Sequence, residues 1–98
     1  MTSRDYILSS LKAQKGEFQK YGVNLIGLFG SYSRNEQTVQ SDVDILIDFE
    51  PEMETYDNFM AVYDLLEIII KGEKIEVVTK NGLSPHIGPS IIKEVVYV

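Results

Sequence analysis

The sequence predicts a single α/β (α+β) domain in which a small mixed β-sheet packs with helices in two or three layers, and three observations carry that expectation. Two stretches of helical period, about Ser3 to Tyr21 and Thr55 to Lys71, alternate with short apolar runs of strand character at Val23 to Phe29, Asp42 to Phe49 and Lys74 to Thr79. At 98 residues the chain fits one domain, residues 1–98, with one modest core. A content of 44% hydrophobic and 24% charged residues is that of a globular protein rather than a disordered one.

Each element has its own signal. In the first helix Ile7, Leu8, Leu11, Phe18 and Tyr21 recur near helical spacing, with Ser3 as N-cap and Gly22 as stop. Gly16 is the weak point, because an interior glycine costs about 1 kcal/mol relative to alanine. Val23 to Phe29 reads as a buried strand, with Asn24 and Gly27 its only weak positions. The polar segment Ser31 to Gln40 is expected to begin with a short helix. From Asp42 onward Val43, Ile45, Ile47 and Phe49 share one strand face, leaving Asp42, Asp44, Leu46 and Asp48 on the other, and only the second face can host chemistry. The next helix repeats Phe59, Val62, Tyr63, Leu66, Ile69 and Ile70 and stops at Gly72. Asn81-Gly82, Ser84-Pro85 and Gly88-Pro89 are turn signals. A short helix over Ser90 to Glu94 then leads to Val95–Val98, an apolar end that either pairs with the sheet or meets a partner.

Charge and composition exclude several functions. A net charge of −6 makes a polyanion a poor partner, so no stable nucleic-acid complex is expected. A bound nucleotide escapes that objection, because magnesium neutralises phosphate charge locally. The sequence has no cysteine, which removes disulfides and thiolate-bound zinc and leaves the cytoplasm as the default compartment. The run Leu65 to Ile70 is broken by Glu67 and is far short of a membrane span, and Met1–Asp5 does not open a signal peptide.

The most informative stretch runs from Gly30-Ser31-Tyr32-Ser33-Arg34 to Ser41-Asp42-Val43-Asp44. Strand residues i and i+2 point to one side, with Cα atoms about 6.5 Å apart, so Asp42 and Asp44 can converge on one site. Two magnesium ions about 3.5–4 Å apart are the usual partners of such a pair in phosphoryl-transfer centres. Either half alone is unremarkable: Gly30-Ser31 as a turn, the aspartates as solvent-facing residues of an edge strand. Together they form strand, Gly-Ser turn, helix start and Asp-x-Asp strand, an order that brings phosphate and metal ligands together. Aspartate is also a poor strand former, a cost that a metal site explains.

Gly30-Ser31, ten residues at 32–41, then Asp42-Val43-Asp44 resembles the signature of the nucleotidyltransferase superfamily of DNA polymerase β type, in particular the minimal nucleotidyltransferase (MNT) proteins. The resemblance covers nearly the whole chain and implies the minimal nucleotidyltransferase fold. It implies catalytic and metal-binding roles for Asp42, Asp44 and Glu76, nucleotide binding by Gly30, Ser31, Arg34 and Ser41, two Mg2+ ions, and ATP as substrate. Glu76 stands where aspartate is usual; on position alone a site role and an exposed strand residue are equally supported. Ser33 and Asn35 replace the common alanine and glycine, and asparagine tolerates the left-handed conformation that glycine often supplies.

MNT proteins are commonly paired with HEPN-type toxins, so the resemblance implies an antitoxin that transfers AMP to a hydroxyl, a tyrosine, of a HEPN partner. Two alternatives stand beside it: a degenerate antitoxin that neutralises by binding alone, and an aminoglycoside-type small-molecule nucleotidyltransferase, whose usual second domain this length does not provide.

The remaining candidates have competing readings. Ser31 can bind phosphate or cap the next helix, and both roles are compatible. Arg34 can clamp a triphosphate or pair with Glu36 or another carboxylate. Asp48 lies about 13 Å beyond Asp44 on an extended strand, outside a shared metal shell. His86 has no second histidine and reads as incidental, and Phe18, Tyr21, Phe59 and Tyr63 read as core or interface.

Overall fold

In the computed structural model, residues 2–98 are described. The elements follow the order α1 (Arg4–Ala13), α2 (Lys15–Lys20), β1 (Val23–Phe29), α3 (Gly30–Ser33), β2 (Val43–Phe49), α4 (Tyr56–Ile69), β3 (Ile75–Thr79), α5 (Gly88–Glu94) and β4 (Val96–Tyr97). The four strands form one sheet in the order β3-β2-β1-β4. β1 is antiparallel to β2 and β4, while β2 and β3 are parallel, and α4 supplies the crossover that a parallel pair requires.

The strand alternation sorts the sheet into two faces as expected. Ile26 and Leu28 of β1, Val43, Ile45, Ile47 and Phe49 of β2, and Ile75 of β3 form one buried cluster with Ile7 and Leu11 of α1, Phe18 of α2, and Val62 and Leu66 of α4. The architecture is therefore two layers, one sheet and one layer of helices, with the core between them. Tyr21, Phe59 and Tyr63 pack against that cluster, in keeping with the core reading of the aromatic residues.

Several boundaries shift. The expected first helix is two helices, and the break falls at Gln14, not at Gly16. Gln14 leaves helical geometry at φ −104°, ψ 11° and caps α1 by donating its backbone N–H to the Leu11 and Lys12 carbonyls. Ser3 is the N-cap, its Oγ accepting from the Tyr6 N–H at 3.1 Å. Thr55 caps α4 in the same way, with Oγ1 accepting from Asn58 N–H at 3.1 Å. β2 begins at Val43 and β3 at Ile75, one residue later than expected, and α5 begins two residues earlier, at Gly88.

The apolar C-terminus pairs with the sheet. Tyr97 and Val96 of β4 stand opposite Gly27 and Leu28 of β1, and Val98 N–H donates to the Ile26 carbonyl at 3.0 Å. Gly27, a weak position in the strand pattern, is what permits this: a Cβ there would run into Val95 Cγ1 and the Val96 carbonyl oxygen. The second sheet face is accordingly not bare. Val95 covers Gly27, and Leu46, on the same face as Asp44, is only 1% exposed.

Candidate active site

β1 ends and β2 begins at the same end of the sheet, with Phe29 opposite Asp44. The chain must leave the sheet sharply at this point, and Gly30 makes that possible. Its φ of +75° lies in the left-handed region, and a Cβ on it would collide with the Asp44 carboxylate. Glycine is thus required both by the backbone angle and by the side chain resting against it. α3 follows for one turn. Ser33, where alanine is common in the resembled family, buries its hydroxyl by donating to the Gly30 carbonyl at 2.7 Å. Asn35 adopts φ +60°, the left-handed conformation expected of an asparagine replacing glycine.

The parallel pairing of β2 and β3 sets Glu76 directly beside Asp44. Asp44 is half-buried, and its carboxyl is pushed up to about 6, first by burial, then by the neighbouring charges of Glu76 and Asp42, by a hydrogen bond shared with Glu76, and by Glu94. Asp42 lies one residue ahead of β2, half-buried, and Glu76 is exposed on the sheet-edge strand. Two neighbouring carboxylates that raise the proton affinity of Asp44 leave room for a compensating positive charge, and their hard oxygen donors suit a divalent cation such as Mg2+. The donor set therefore fits magnesium. Among the described residues, however, no three acidic side chains are already gathered into a metal cage. Asp44 and Glu76 form the register pair, with Asp42 contributing charge beside them.

The expected nucleotide ligands fare differently from one another. The Ser31 hydroxyl makes no hydrogen bond among the described residues, and its half-exposed position leaves it available. Arg34 is already paired: Nε donates to Glu36 Oε1 at 2.8 Å and Nη1 to Glu94 Oε2 at 2.8 Å. These two bonds, Glu36 first, raise the proton affinity of its guanidinium. The Gly30 N–H donates to Glu94 Oε1 at 2.9 Å, so Gly30 offers the site room and shape, with its donor engaged. The Ser41 hydroxyl closes the preceding loop by accepting from Thr38 N–H at 2.9 Å. Asp48 is half-buried at the far end of β2 opposite Leu25, and His86 is exposed.

Two participants escape sequence reasoning. Glu94 reaches the Gly-Ser turn from α5, more than sixty positions along the chain, and nothing local marks it. Tyr32, within the motif, is fully buried and donates its hydroxyl to Glu73 Oε2 at 3.2 Å. Burial, then Glu73, raises its phenol. Glu73 also accepts from Thr2 N–H at 2.9 Å, so the turn is braced against the chain start.

Residues 11–98 match the family model described as the nucleotidyltransferase domain. The chain belongs to that family. Among its nucleotidyltransferase relatives, protein adenylyltransferase MntA of Thermococcus cleftensis is 40% identical over 99 residues, covering 100% of this chain and 98% of the relative. A protein of Methanocaldococcus jannaschii provisionally named protein adenylyltransferase MJ0126 is 39% identical over 105 residues and is covered in full, as is this chain. A solved structure described provisionally as a minimal nucleotidyltransferase superposes with a TM-score of 0.83 at 23% identity, over 97% of this chain and 95% of that one. This nucleotidyltransferase thus has the minimal nucleotidyltransferase fold, and no helix among its described residues is long and apolar enough to cross a membrane.

Proposed function

We propose that this nucleotidyltransferase is an Mg2+-dependent protein adenylyltransferase that transfers AMP from ATP to a tyrosine hydroxyl of a HEPN-type toxin, and so acts as a cytoplasmic antitoxin. The observation that carries the reading is the junction of Gly30, Asp44 and Glu76: a phosphate-type turn pressed against a carboxylate whose register partner is a second carboxylate. The names of the full-length relatives support protein as the class of acceptor.

Asp42, Asp44 and Glu76 would hold the metal. When bound, Mg2+ neutralises charge developing on the α-phosphate and on the departing pyrophosphate. The remaining steps belong to the chain. Ser31 receives phosphate oxygens through its hydroxyl, and Arg34, held by Glu36 and Glu94, offers them its Nη2 donors. The acceptor oxygen forms a bond to the α-phosphorus as the bond from that phosphorus to the bridging oxygen breaks, releasing pyrophosphate. The hydroxyl proton passes to a carboxylate oxygen of Glu76, the exposed member of the pair and the one open to an incoming protein.

A second reading, neutralisation by binding alone, draws on Glu76 in place of aspartate and on the absence of a gathered cage among the described residues. Co-expression with the HEPN toxin separates the two. Asp42→Asn/Asp44→Asn is expected to lose protection while still co-purifying with the toxin. Full protection by the double variant would establish the binding-only antitoxin instead.

A further inference from the structure

Glu94 reaches the Gly-Ser turn from α5, outside the strand–turn–strand motif, and each of its oxygens has a separate task. Oε1 accepts from the N–H of Gly30 at 2.9 Å, and Oε2 accepts from Arg34 Nη1 at 2.8 Å. The first bond acts on a buried backbone group just past the end of β1. The second acts on a guanidinium about half exposed, whose Nε is already held by Glu36. Two carboxylates on different nitrogens leave a flexible side chain little freedom, while the Nη2 group keeps both its donors.

Gly30 is also where a displacement would be felt most. At φ +75° it has no room on the Asp44 side, so a shift of the turn moves the surface against which the Asp44 carboxylate rests. One side chain of α5 therefore sets the turn, the arginine and, through Gly30, a metal-type carboxylate.

We infer that Glu94 is a positioning residue of the nucleotide grip, holding the Gly-Ser turn and the Arg34 fork in the arrangement that receives a triphosphate. This rests on the proposed nucleotidyl-transfer reading of the site. It requires that Glu94 remain bonded to Gly30 and Arg34 while nucleotide is bound, with Ser31 and the free Nη2 donors meeting the phosphates. The opposed arrangement, in which the carboxylate occupies the anion's place and must be expelled, reverses the sign of every effect of removing it.

The test combines calorimetric titration of the full chain with Mg2+ and a non-hydrolysable ATP analogue and the amide-exchange rate of Gly30. For Glu94→Ala, affinity is expected to fall about tenfold, the equivalent of about 1.4 kcal/mol, and Gly30 exchange to accelerate. Glu94→Gln keeps an oxygen for the Gly30 N–H but no charge for Arg34. It is expected to retain slow exchange and lose affinity only a few-fold, and it serves as well if Glu94→Ala does not fold. Adding Arg34→Ala to the Glu94 variant is expected to cost less than Arg34→Ala costs alone, as for residues acting through one another. Unchanged or tighter binding by the Glu94 variants, or additive losses in the double variant, overturns the positioning role. A parent protein that binds no nucleotide overturns the nucleotidyl-transfer reading, and the positioning role with it.

Discussion

Asp44 is a half-buried carboxylate whose surroundings disfavour its charge, a cost that the proposed metal-binding role accounts for. Its carboxyl is pushed up to about 6 by burial and by Glu76, so the folded chain holds the Asp44 proton more tightly than the unfolded chain does. The sign follows. This contribution to stability is full below the ordinary aspartate range near pH 4 and is lost as pH rises to about 6. Without metal, the thermal midpoint is therefore expected to fall across that window. Asp44→Asn should flatten the decline and melt higher than the parent at pH 7, and Mg2+ should raise the parent's midpoint and not the variant's; a variant less stable than the parent at pH 7 would contradict this. That Gly30, Asp42 and Asp44 lie near one another was legible in the sequence because turn chemistry and strand alternation are local, whereas Glu76 was singled out through the resemblance alone, and the parallel register sets it beside Asp44. The bond from Glu94 to Gly30 was not legible, since no periodicity links a seven-residue helix to a turn 64 positions away.

At the level of elements, the apolar run of β1 and the alternation in β2 announced two strands, and Ser3 announced one helix start, while the Thr55 cap of α4 came to light only in the structure. The break at Gln14 was hidden because Leu11 and Phe18 lie seven positions apart, which keeps them on one face whether or not the helix is continuous. Gly16, the suspected breaker, sits in α2 with open space where its side chain would be, so its glycine costs only helix propensity. Gly27 is the reverse case, a residue that looks weak in a strand and is demanded by close approach of β4. Gly27→Val is expected to detach β4 by forcing Val95 outward, at a cost of about 1–3 kcal/mol as for overpacking, with the core strands β1 and β2 keeping slow amide exchange. Protection of Val98 N–H unchanged in that variant would show that the C-terminal strand is held by something other than its fit to Gly27.

For the molecule as a whole, the two-layer fold brings a glycine turn and a parallel carboxylate pair to one end of a sheet, while the apolar side chains of that sheet's other face serve the core. The fold and family were readable from a motif of fixed spacing; the acceptor was not, because it is a property of a second molecule. The central claim is that this end of the sheet transfers AMP to a protein hydroxyl. The most direct measurement is incubation of the purified chain with the proposed HEPN-type toxin partner, Mg2+ and ATP labelled at the α-phosphate, beside Asp44→Asn and a sample containing chelator. Label on the toxin with the parent, abolished by the substitution and by the chelator, is the predicted result; a tight complex that carries no label with the parent protein would contradict it.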